Sequence, residues 1–383
     1  MMLALRELRR RPGRFAIATV TLTLIAVLLM FLGGLLDGLI DSSVAAVKAQ
    51  DADIIVYSSR AGGSFERSRV SIALRRLVTQ VPGAAEVGGI GVVQLGARLP
   101  NAGPRDLIDV ALFGYEIPPR GIPAPPADGE AYADTLLRDQ GVKKGMTLLI
   151  GPARSSVTIV GFVSGASYLG LGSLWASPAT WRSVQNANRP NTIVADGVFQ
   201  SLLVRGGRTE AKSANRNHPV QVGGANLTRD IDRLTSGRTR SFSVAEAANG
   251  IPGVAEQRGV FNQIIAVTVG VALVVVTLFF ALLTVERAGL YGVLKAIGAR
   301  SRTLFFSLVL QAVIVTLVAS AIGCALAVVL EIVIPSGTIP FVLSPQRVLT
   351  STALLLVAAV LGCAFSLRRV LRTDPASAIG NAQ

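Results

Sequence analysis

Residues 264–285 read IIAVTVGVALVVVTLFFALLTV, a run of apolar side chains without a charged residue. An α-helix rises about 1.5 Å per residue, so a helix of this length crosses the roughly 30 Å hydrocarbon core of a bilayer. Three other uncharged runs have a similar length, at 15–36, 304–329 and 348–367. The sequence therefore predicts four transmembrane helices.

The composition also indicates a membrane protein without catalytic chemistry. Of the 383 residues, 51% are hydrophobic and only 16% are charged, whereas soluble domains carry about 25% charged residues. Cys324 and Cys363 lie in apolar runs without a CxxC motif, which predicts buried thiols rather than a disulfide or a zinc site. The only histidine, His218, lies in a polar stretch, and no GxxxxGK[ST] motif occurs. We therefore predict a chain that is not an enzyme and that binds no metal, cofactor or ATP itself.

The positions of the basic residues predict how the helices are oriented. A net charge of +14 is also found in nucleic-acid-binding proteins, but twelve basic residues lie in three clusters next to the apolar runs. Lys and Arg beside membrane spans favour the cytoplasmic side, and all three clusters fall on one side of a four-span chain. We therefore predict cytoplasmic termini, contact with membrane lipid and no nucleic-acid partner. The clusters are Arg6, Arg9, Arg10, Arg11 and Arg14; Arg287, Lys295, Arg300 and Arg302; and Arg368, Arg369 and Arg372.

More than 200 residues separate the first two apolar runs, which is enough for a folded domain. Pieces rich in β-branched residues and bounded by Gly or Pro predict strands at 52–57, 110–114, 146–150, 157–163 and 201–204. The predicted fold class is a membrane α-helical protein with four transmembrane helices, N-in/C-in. An α+β extracytoplasmic domain is inserted between helices 1 and 2.

The runs, loops and charges also predict how the chain is divided. The predicted segments are a cytoplasmic amphipathic N-terminal helix (1–14), transmembrane helix 1 plus stalk (15–50), the extracytoplasmic domain (51–245), a stalk plus transmembrane helix 2 (246–285), a cytoplasmic helix (286–302), transmembrane helix 3 (303–333), a short outer loop (334–346), transmembrane helix 4 (347–368) and a cytoplasmic tail (369–383). A small β-rich subdomain is expected at about 116–196. Pro252 and Gly253 predict a break in the second stalk.

The cytoplasmic segment after the second run has an amphipathic pattern. Leu290, Val293, Leu294 and Ile297 fall at i, i+3, i+4 and i+7, which places them on one face of a helix. Gly298 stands where such a helix ends. The apolar face is suited either to lying flat on the lipid interface or to docking in a groove of a cytoplasmic protein.

These stretches resemble the FtsX-like ABC transporter permeases, the type VII group that includes the MacB, LolC/LolE and DevC/HrtB branches. Glu286-Arg287 followed by GVLKAIGA at 292–299 is similar to the signature of that family. The basic N-terminal stretch at 3–11 and the ending RRVLRTDPA at 368–376 are also typical. The family architecture has four spans and a large external domain between the first two, which agrees with the layout above.

The resemblance implies a permease subunit in the bacterial cytoplasmic membrane. The energy for its work would come from ATP hydrolysis by a partner protein. The resemblance also implies two copies of a cytoplasmic ABC ATPase that holds ATP and Mg²⁺, and a homodimer or a pair with a paralogous permease. The helix at 286–302 would be the coupling helix, although Leu290 stands where many members carry a second acidic residue. The ATPase-coupling residues implied are Glu286, Arg287, Leu290, Gly292, Val293, Leu294, Lys295, Ile297 and Gly298.

Four side chains near the spans are candidates for contact with a substrate or an outer gate. Asp37 and Asp41 lie at i, i+4 past the first run, either as a polar flank of the membrane or as an acidic lip for a cationic or metal-bearing substrate. Glu331 lies near the outer end of the third run, and acidic residues in spans are functional candidates. Met30 lies within the first run and is a candidate haem ligand.

Gly34 and Gly38 have the small-xxx-small spacing that lets helices approach closely. Such a pair serves either packing within the chain or the seam of a dimer.

The function remains open among three classes. The first is the permease of an exporter for a hydrophobic or amphipathic compound, with haem among the candidates. The second is a mechanotransmission subunit that regulates an external partner such as a cell-wall hydrolase. The third is a membrane-anchored sensor or scaffold. An ATPase that binds the chain and responds to a substrate would favour the first class.

Overall fold

The computed structural model describes residues 12–100, 103, 106–207, 224–286, 301–334 and 339–371. Its chain divides into two compact units, one made of Met1–Gly38 and Gln257–Gln383 and the other of Leu39–Glu256. In chain order the elements are α1 (Pro12–Lys48), β1 (Ile54–Ser58), α2 (Ile72–Thr79), β2 (Ala84–Arg98), β3 (Leu107–Tyr115), β4 (Glu130–Asp134), α3 (Thr135–Asp139), β5 (Thr147–Ile150), β6 (Ser155–Val163), β7 (Gly172–Ala176), α4 (Pro178–Asn188), a 3₁₀ turn (Pro190–Thr192), β8 (Ser201–Gly206), α5 (Gly224–Leu234), β9 (Thr239–Ser243), α6 (Val244–Asn249), α7 (Val254–Glu286), α8 (Ser301–Val333) and α9 (Pro345–Leu371).

Helices α1, α7, α8 and α9 each contain a stretch that is long and apolar enough to cross a membrane. Within the described residues, the strands and the shorter helices lie between the first and the second of these four helices. This order confirms the predicted fold class, with a mixed α and β domain inserted after the first apolar helix. The orientation across the membrane stays a prediction.

The inserted domain follows one long helix and precedes another. α1 continues past its apolar run to Lys48, and α7 begins at Val254, directly after a turn at Pro252 and Gly253. Gly253 has a φ of +89°, in the left-handed region that favours glycine. The break expected at these two residues is therefore the start of α7.

Small side chains bring the apolar helices together. Gly323 of α8 lies against Ala26 of α1, and Gly362 of α9 lies against Val276 of α7. A β-carbon at either glycine would overlap its neighbour, so the close approach depends on glycine. The buried core of this bundle is formed by Ala18, Leu22, Ala26, Leu29, Ala272, Val276, Phe280, Leu308, Ala312, Val315, Ala319, Leu355, Ala358, Ala359 and Cys363.

Six strands of the inserted domain close into a ring. β2 pairs with β3, β3 with β7, β7 with β4, β4 with β6, β6 with β5, and β5 again with β2. The β3–β7 and β4–β6 pairs are parallel and the others are antiparallel. Closure leaves these strands without a free sheet edge. The result is a small closed barrel.

The long strand β2 belongs to the barrel and to a second sheet. Residues 84–90 pair with β8, and residues 90–98 pair with β3. β8 continues to β1 and β9, so a four-stranded antiparallel sheet extends from the barrel. Helices α2 and α5 cover this sheet and bury a core of Ile54, Val56, Val70, Leu74, Val78, Val81, Leu202, Val204, Leu227 and Ile231.

A pair of glycines admits helix α4 to the barrel core. Gly91 and Gly114 are opposite each other across β2 and β3, and the Trp181 side chain of α4 lies directly on both. Trp181 also stacks on Phe199, with ring centroids 6.0 Å apart. A side chain at either glycine would occupy the space of the indole, so this packing depends on glycine.

Polar side chains begin three of the shorter helices. Ser71 caps α2, Asp134 caps α3, and Ser243 forms a capping box with Glu246 at the start of α6. Burial raises the pKa of the Asp134 carboxyl, although backbone hydrogen bonds partly offset this effect. Hydrogen bonds from Ser243 lower the pKa of the Glu246 carboxyl.

Candidate functional site

A connected polar site in the described part of the membrane-spanning unit lies where α1 meets the start of α9. Gly33, Gly34, Asp37 and Gly38 share one face of α1 because they fall at i, i+1, i+4 and i+5. The segment 340–347 lies against that face. We call this arrangement the clasp and define it by Asp37, Phe341 and Arg347 together with Gly33, Gly34 and Gly38.

A bidentate ion pair forms the polar part of the clasp. Arg347 donates from Nε to Asp37 Oδ2 at 2.9 Å and from Nη2 to Asp37 Oδ1 at 2.5 Å. The two side chains are only 22% and 26% exposed, so solvent screens their attraction less than at the surface. Bidentate arginine–carboxylate pairs are also among the stronger hydrogen bonds in proteins. The Asp37 charge is therefore neutralised by Arg347.

The glycines of α1 supply the apolar part of the clasp. Gly34 lies under the ring of Phe341, which also stacks on Phe31 with centroids 5.5 Å apart. Gly38 lies against the backbone carbonyl of Pro340. The Val342 amide donates to the Gly34 carbonyl at 3.2 Å. The contacts of Gly34 with Phe341 and of Gly38 with Pro340 need residues without a side chain on α1, since a β-carbon would occupy the same space.

Glu331 is part of the same end of the bundle. Its Oε1 accepts a hydrogen bond from the Leu343 amide at 3.2 Å, which ties the end of α8 to the segment before α9. Ser344 caps α9 by accepting from the Arg347 amide at 3.1 Å. Residues 340–344 are thus held to α8, to α1 and to the start of α9.

The other candidates from the sequence lie apart from the clasp. Asp41 pairs with Lys48 at 2.7 Å, and both side chains are more than half exposed, so the pair contributes little to stability. Met30 is fully buried. The Glu286 backbone ends α7, while the coupling residues from Arg287 to Gly298 lie outside the described residues.

For the glycine pair, the structure describes contacts within one chain. Gly34 and Gly38 face Phe341 and Pro340, which agrees with the intrachain alternative. The dimer-seam alternative stays a prediction.

Comparison with known proteins identifies the membrane part of the chain. Residues 262–375 match the model of the FtsX-like permease C-terminal family. A permease of Mycobacterium tuberculosis, MT0078, titled an uncharacterized ABC transporter permease, is 27% identical over 389 aligned positions, with 98% of each chain covered. Residues 262–375 therefore carry the C-terminal segment of the FtsX-like permeases, and the chain is similar to an ABC transporter permease over nearly its full length; we call it the permease for that similarity. Four apolar helices and this family make the permease a multi-pass protein of the bacterial inner membrane.

A second relative matches only part of its own length. The putative hemin transport system permease protein HrtB of Staphylococcus haemolyticus is 30% identical to the permease over 129 residues. That match covers 34% of the permease and 36% of HrtB.

Two solved structures resemble the inserted domain. The periplasmic region of MacB from Actinobacillus actinomycetemcomitans has 10% identity and a TM-score of 0.35, and covers 54% of the permease and 95% of that chain. The extracellular domain of the ABC-type transporter YknZ from Gram-positive bacteria has 11% identity and a TM-score of 0.31, and covers 49% and 98%.

Arg347 is absent from the candidates chosen from the sequence. It lies 310 positions from Asp37 along the chain, so no local pattern joins them. One signal was available: Arg347 is a lone basic residue beside a span, next to an uncharged loop on the side predicted to be external. Basic residues are less frequent on the external side of a membrane. A lone arginine at that position therefore indicates a partner carboxylate.

Breaking the Asp37–Arg347 pair is expected to destabilise the permease by about 1–3 kcal/mol, because either single change leaves a partly buried charge without its partner. The changes are Asp37→Asn, Arg347→Gln and the double variant, followed by thermal unfolding in detergent. The double variant is expected to lose less than the sum of the single variants.

The exposed pair at the end of α1 provides the control. Asp41→Asn is expected to change stability by less than about 0.5 kcal/mol. Strictly additive effects at Asp37 and Arg347 would show that the ion pair does not hold the clasp together.

Proposed function

We propose that the permease couples ATP hydrolysis by a separate cytoplasmic ABC ATPase to the export of a hydrophobic or amphipathic substrate. It would act as a homodimer or with a paralogous permease, with two ATPase copies that hold ATP and Mg²⁺. Both termini and the coupling segment, residues 286–302, would lie in the cytoplasm. The observation that carries the proposal is the family match over 262–375, because it includes the amphipathic coupling segment.

The continuity of α7 supports this coupling. The helix runs without interruption from Val254 to Glu286, and the coupling segment begins at its last residue. An unbroken helix transmits axial displacement along its length, because each turn is hydrogen-bonded to the next. Movement of the coupling segment by an ATPase would therefore reach the start of α7, next to the inserted domain in the chain.

The clasp is suited to act as a gate in such a cycle. Its ion pair, ring stack and glycine contacts join α1 to the segment before α9. Opening this end of the bundle would break the Asp37–Arg347 pair and free the Asp37 carboxylate. The acidic-lip role of Asp37 would then belong to an open state.

Haem is the first substrate to test, because the HrtB relative is titled a putative hemin transport permease. Met30 is fully buried among the described residues. A role for its sulfur in haem binding would therefore require the helices to separate.

The coupling assignment is tested by putting charges on the apolar face of the coupling segment. Leu294→Asp together with Ile297→Asp is expected to weaken binding of the partner ATPase at least about 100-fold, since the new carboxylates would be buried without partners. The measurement is co-purification of the ATPase with the tagged permease, followed by titration in detergent.

A charge on the opposite face is the matched control. Ala288→Asp adds a carboxylate about half a turn away and is expected to leave ATPase binding within a few-fold of the original. Undiminished binding by the Leu294 and Ile297 variant would contradict the coupling role.

Transport and force transmission are separated by the reconstituted complex. We expect ATPase activity in lipid nanodiscs to rise when haem or another amphipathic substrate is added, and to stay constant with water-soluble controls. An ATPase that binds and hydrolyses ATP but responds to no such compound would favour the mechanotransmission alternative.

A further inference from the structure

A small cavity in the inserted domain lies beside the chain segments by which the domain begins and ends. It has a volume of about 280 Å³. Its walls come from the last turn of α1, from the following residues up to Ala52, from Arg120 and from helix α6. Four small apolar residues form one part of the lining, namely Ala52, Val244, Ala245 and Ala248.

Two cationic side chains belong to the polar part of the lining, together with Gln50 and Asn249. Lys48 and Arg120 both line the cavity, while their ion-pair partners Asp41 and Asp51 do not. The Arg120–Asp51 contact is 3.3 Å, and the Arg120 side chain is 70% exposed. Exposed pairs of this kind contribute little, so both cations can turn to an anion in the cavity. The Arg120 amide donates to the Ala49 carbonyl at 2.7 Å, which fixes this residue beside α1.

Gln50 provides a third and independent feature. It is only 1% exposed and lines the same cavity. Its Nε2 donates to the Ala46 carbonyl at 2.7 Å, which fixes the amide orientation and makes the other atom an acceptor. That acceptor, Oε1, is buried without a hydrogen-bond partner among the described residues. Buried polar atoms are nearly always paired in proteins, so an unpaired one calls for an additional donor.

We propose that this cavity binds a small anionic ligand that carries a hydroxyl group, of the glycerophosphate class. The phosphate would pair with Lys48 and Arg120, a hydroxyl would donate to Gln50, and the carbon chain would lie on the alanine-rich wall. Sites that bury drug-sized ligands have volumes of about 300–1,000 Å³, so the cavity takes a headgroup or a small metabolite but not a porphyrin. The ligand would contact α1 and α6 at once. This site does not depend on the coupling or on the exported substrate.

The test measures ligand binding by the purified full chain, without an ATPase. The free probe is sn-glycerol 3-phosphate, compared with inorganic phosphate by calorimetry in detergent. The lipid probe is phosphatidylglycerol in nanodiscs, compared with phosphatidylcholine. Saturable binding of the free probe identifies a soluble ligand as the source, whereas binding only of the phosphatidylglycerol nanodiscs identifies a lipid headgroup. Binding of neither probe overturns the proposal.

Substitutions then assign the binding to this cavity. Lys48→Gln and Arg120→Gln are each expected to weaken binding about tenfold, because each removes a charged donor. Gln50→Leu is expected to remove the preference for glycerol phosphate over inorganic phosphate, since only the former has a hydroxyl for Oε1. The matched control is Arg76→Gln, which removes an exposed charge on α2 and is expected to leave affinity unchanged.

Unfolding temperatures measured without ligand identify a variant that fails to fold. If Gln50→Leu fails to fold, the affinities of Lys48→Gln and Arg120→Gln decide whether the ligand binds in this cavity. Equal affinity of Lys48→Gln, Arg120→Gln and Arg76→Gln would place the binding elsewhere and overturn the proposal.

Discussion

Trp181→Ala is expected to lower the free energy of unfolding of the inserted domain by about 3–5 kcal/mol. The side chain is fully buried in the barrel core, stacks on Phe199 and fills the space over Gly91 and Gly114. Because those glycines carry no side chain, nothing on the barrel wall can move into the space that the indole leaves. The measurement is thermal unfolding of the permease, monitored by circular dichroism. Hydrogen exchange of the amides in β2 and β3 reports the stability of the barrel itself.

Phenylalanine at the same position separates ring packing from hydrogen bonding. The Nε1 of Trp181 is buried without a partner among the described residues, so Trp181→Phe removes an unpaired donor and is expected to cost less than half as much as alanine. Trp175 is the matched control, because its Nε1 donates to Ser173 Oγ at 2.7 Å. Trp175→Phe is therefore expected to cost more than Trp181→Phe. Equal losses for Phe and Ala at 181 would contradict the packing described here.

Gly38→Ala is expected to destabilise the membrane-spanning unit by at least about 2 kcal/mol, although alanine normally stabilises a helix relative to glycine. The added methyl would overlap the backbone carbonyl of Pro340, and a backbone cannot move aside as a flexible side chain does. Gly33→Ala should cost less, because the atoms nearest to its β-carbon belong to the flexible side chain of Arg347. Thermal unfolding in detergent, together with substrate-stimulated ATPase activity in nanodiscs, measures both effects.

Gly270→Ala is the control, since a β-carbon there meets nothing within 4 Å among the described residues. It is expected to be neutral or to stabilise α7 by up to about 1 kcal/mol. A Gly38→Ala variant as stable as Gly270→Ala would show that Pro340 does not pack on α1. If a stable Gly38→Ala variant also failed to form cross-linked dimers, the dimer-seam alternative for Gly34 and Gly38 would be favoured.

The clasp and the cavity are formed by different parts of the chain, so each can be tested without the other. The clasp concerns how α1 is held to the segment before α9, and its variants test stability and gating. The cavity concerns a ligand of the inserted domain, and its variants test binding by the permease alone. An experiment that contradicts the role of the clasp would not affect the proposal for the cavity, and the reverse also holds.

Local sequence patterns were sufficient where one segment determines its own structure. The five predicted strand pieces lie in or overlap β1, β3, β5, β6 and β8. The pattern missed β2, where Gly88, Gly89 and Gly91 interrupt the β-branched residues that normally indicate a strand. Those glycines serve contacts from elsewhere in the chain, such as Trp181 on Gly91 and Phe199 on Gly89. A local pattern cannot show a requirement that comes from a distant side chain.

The sequence by itself determined the four apolar helices, because the transfer of each segment into a membrane depends on that segment's own side chains. It also determined the inserted domain and the family resemblance, since both are read from continuous stretches of the chain. Only the tertiary structure decided that six strands close into a barrel, that Gly38 lies against Pro340 and that Asp37 pairs with Arg347. Each of these contacts joins residues far apart in the chain. Their energy arises only when both partners are in place, so neither partner's surrounding sequence records it.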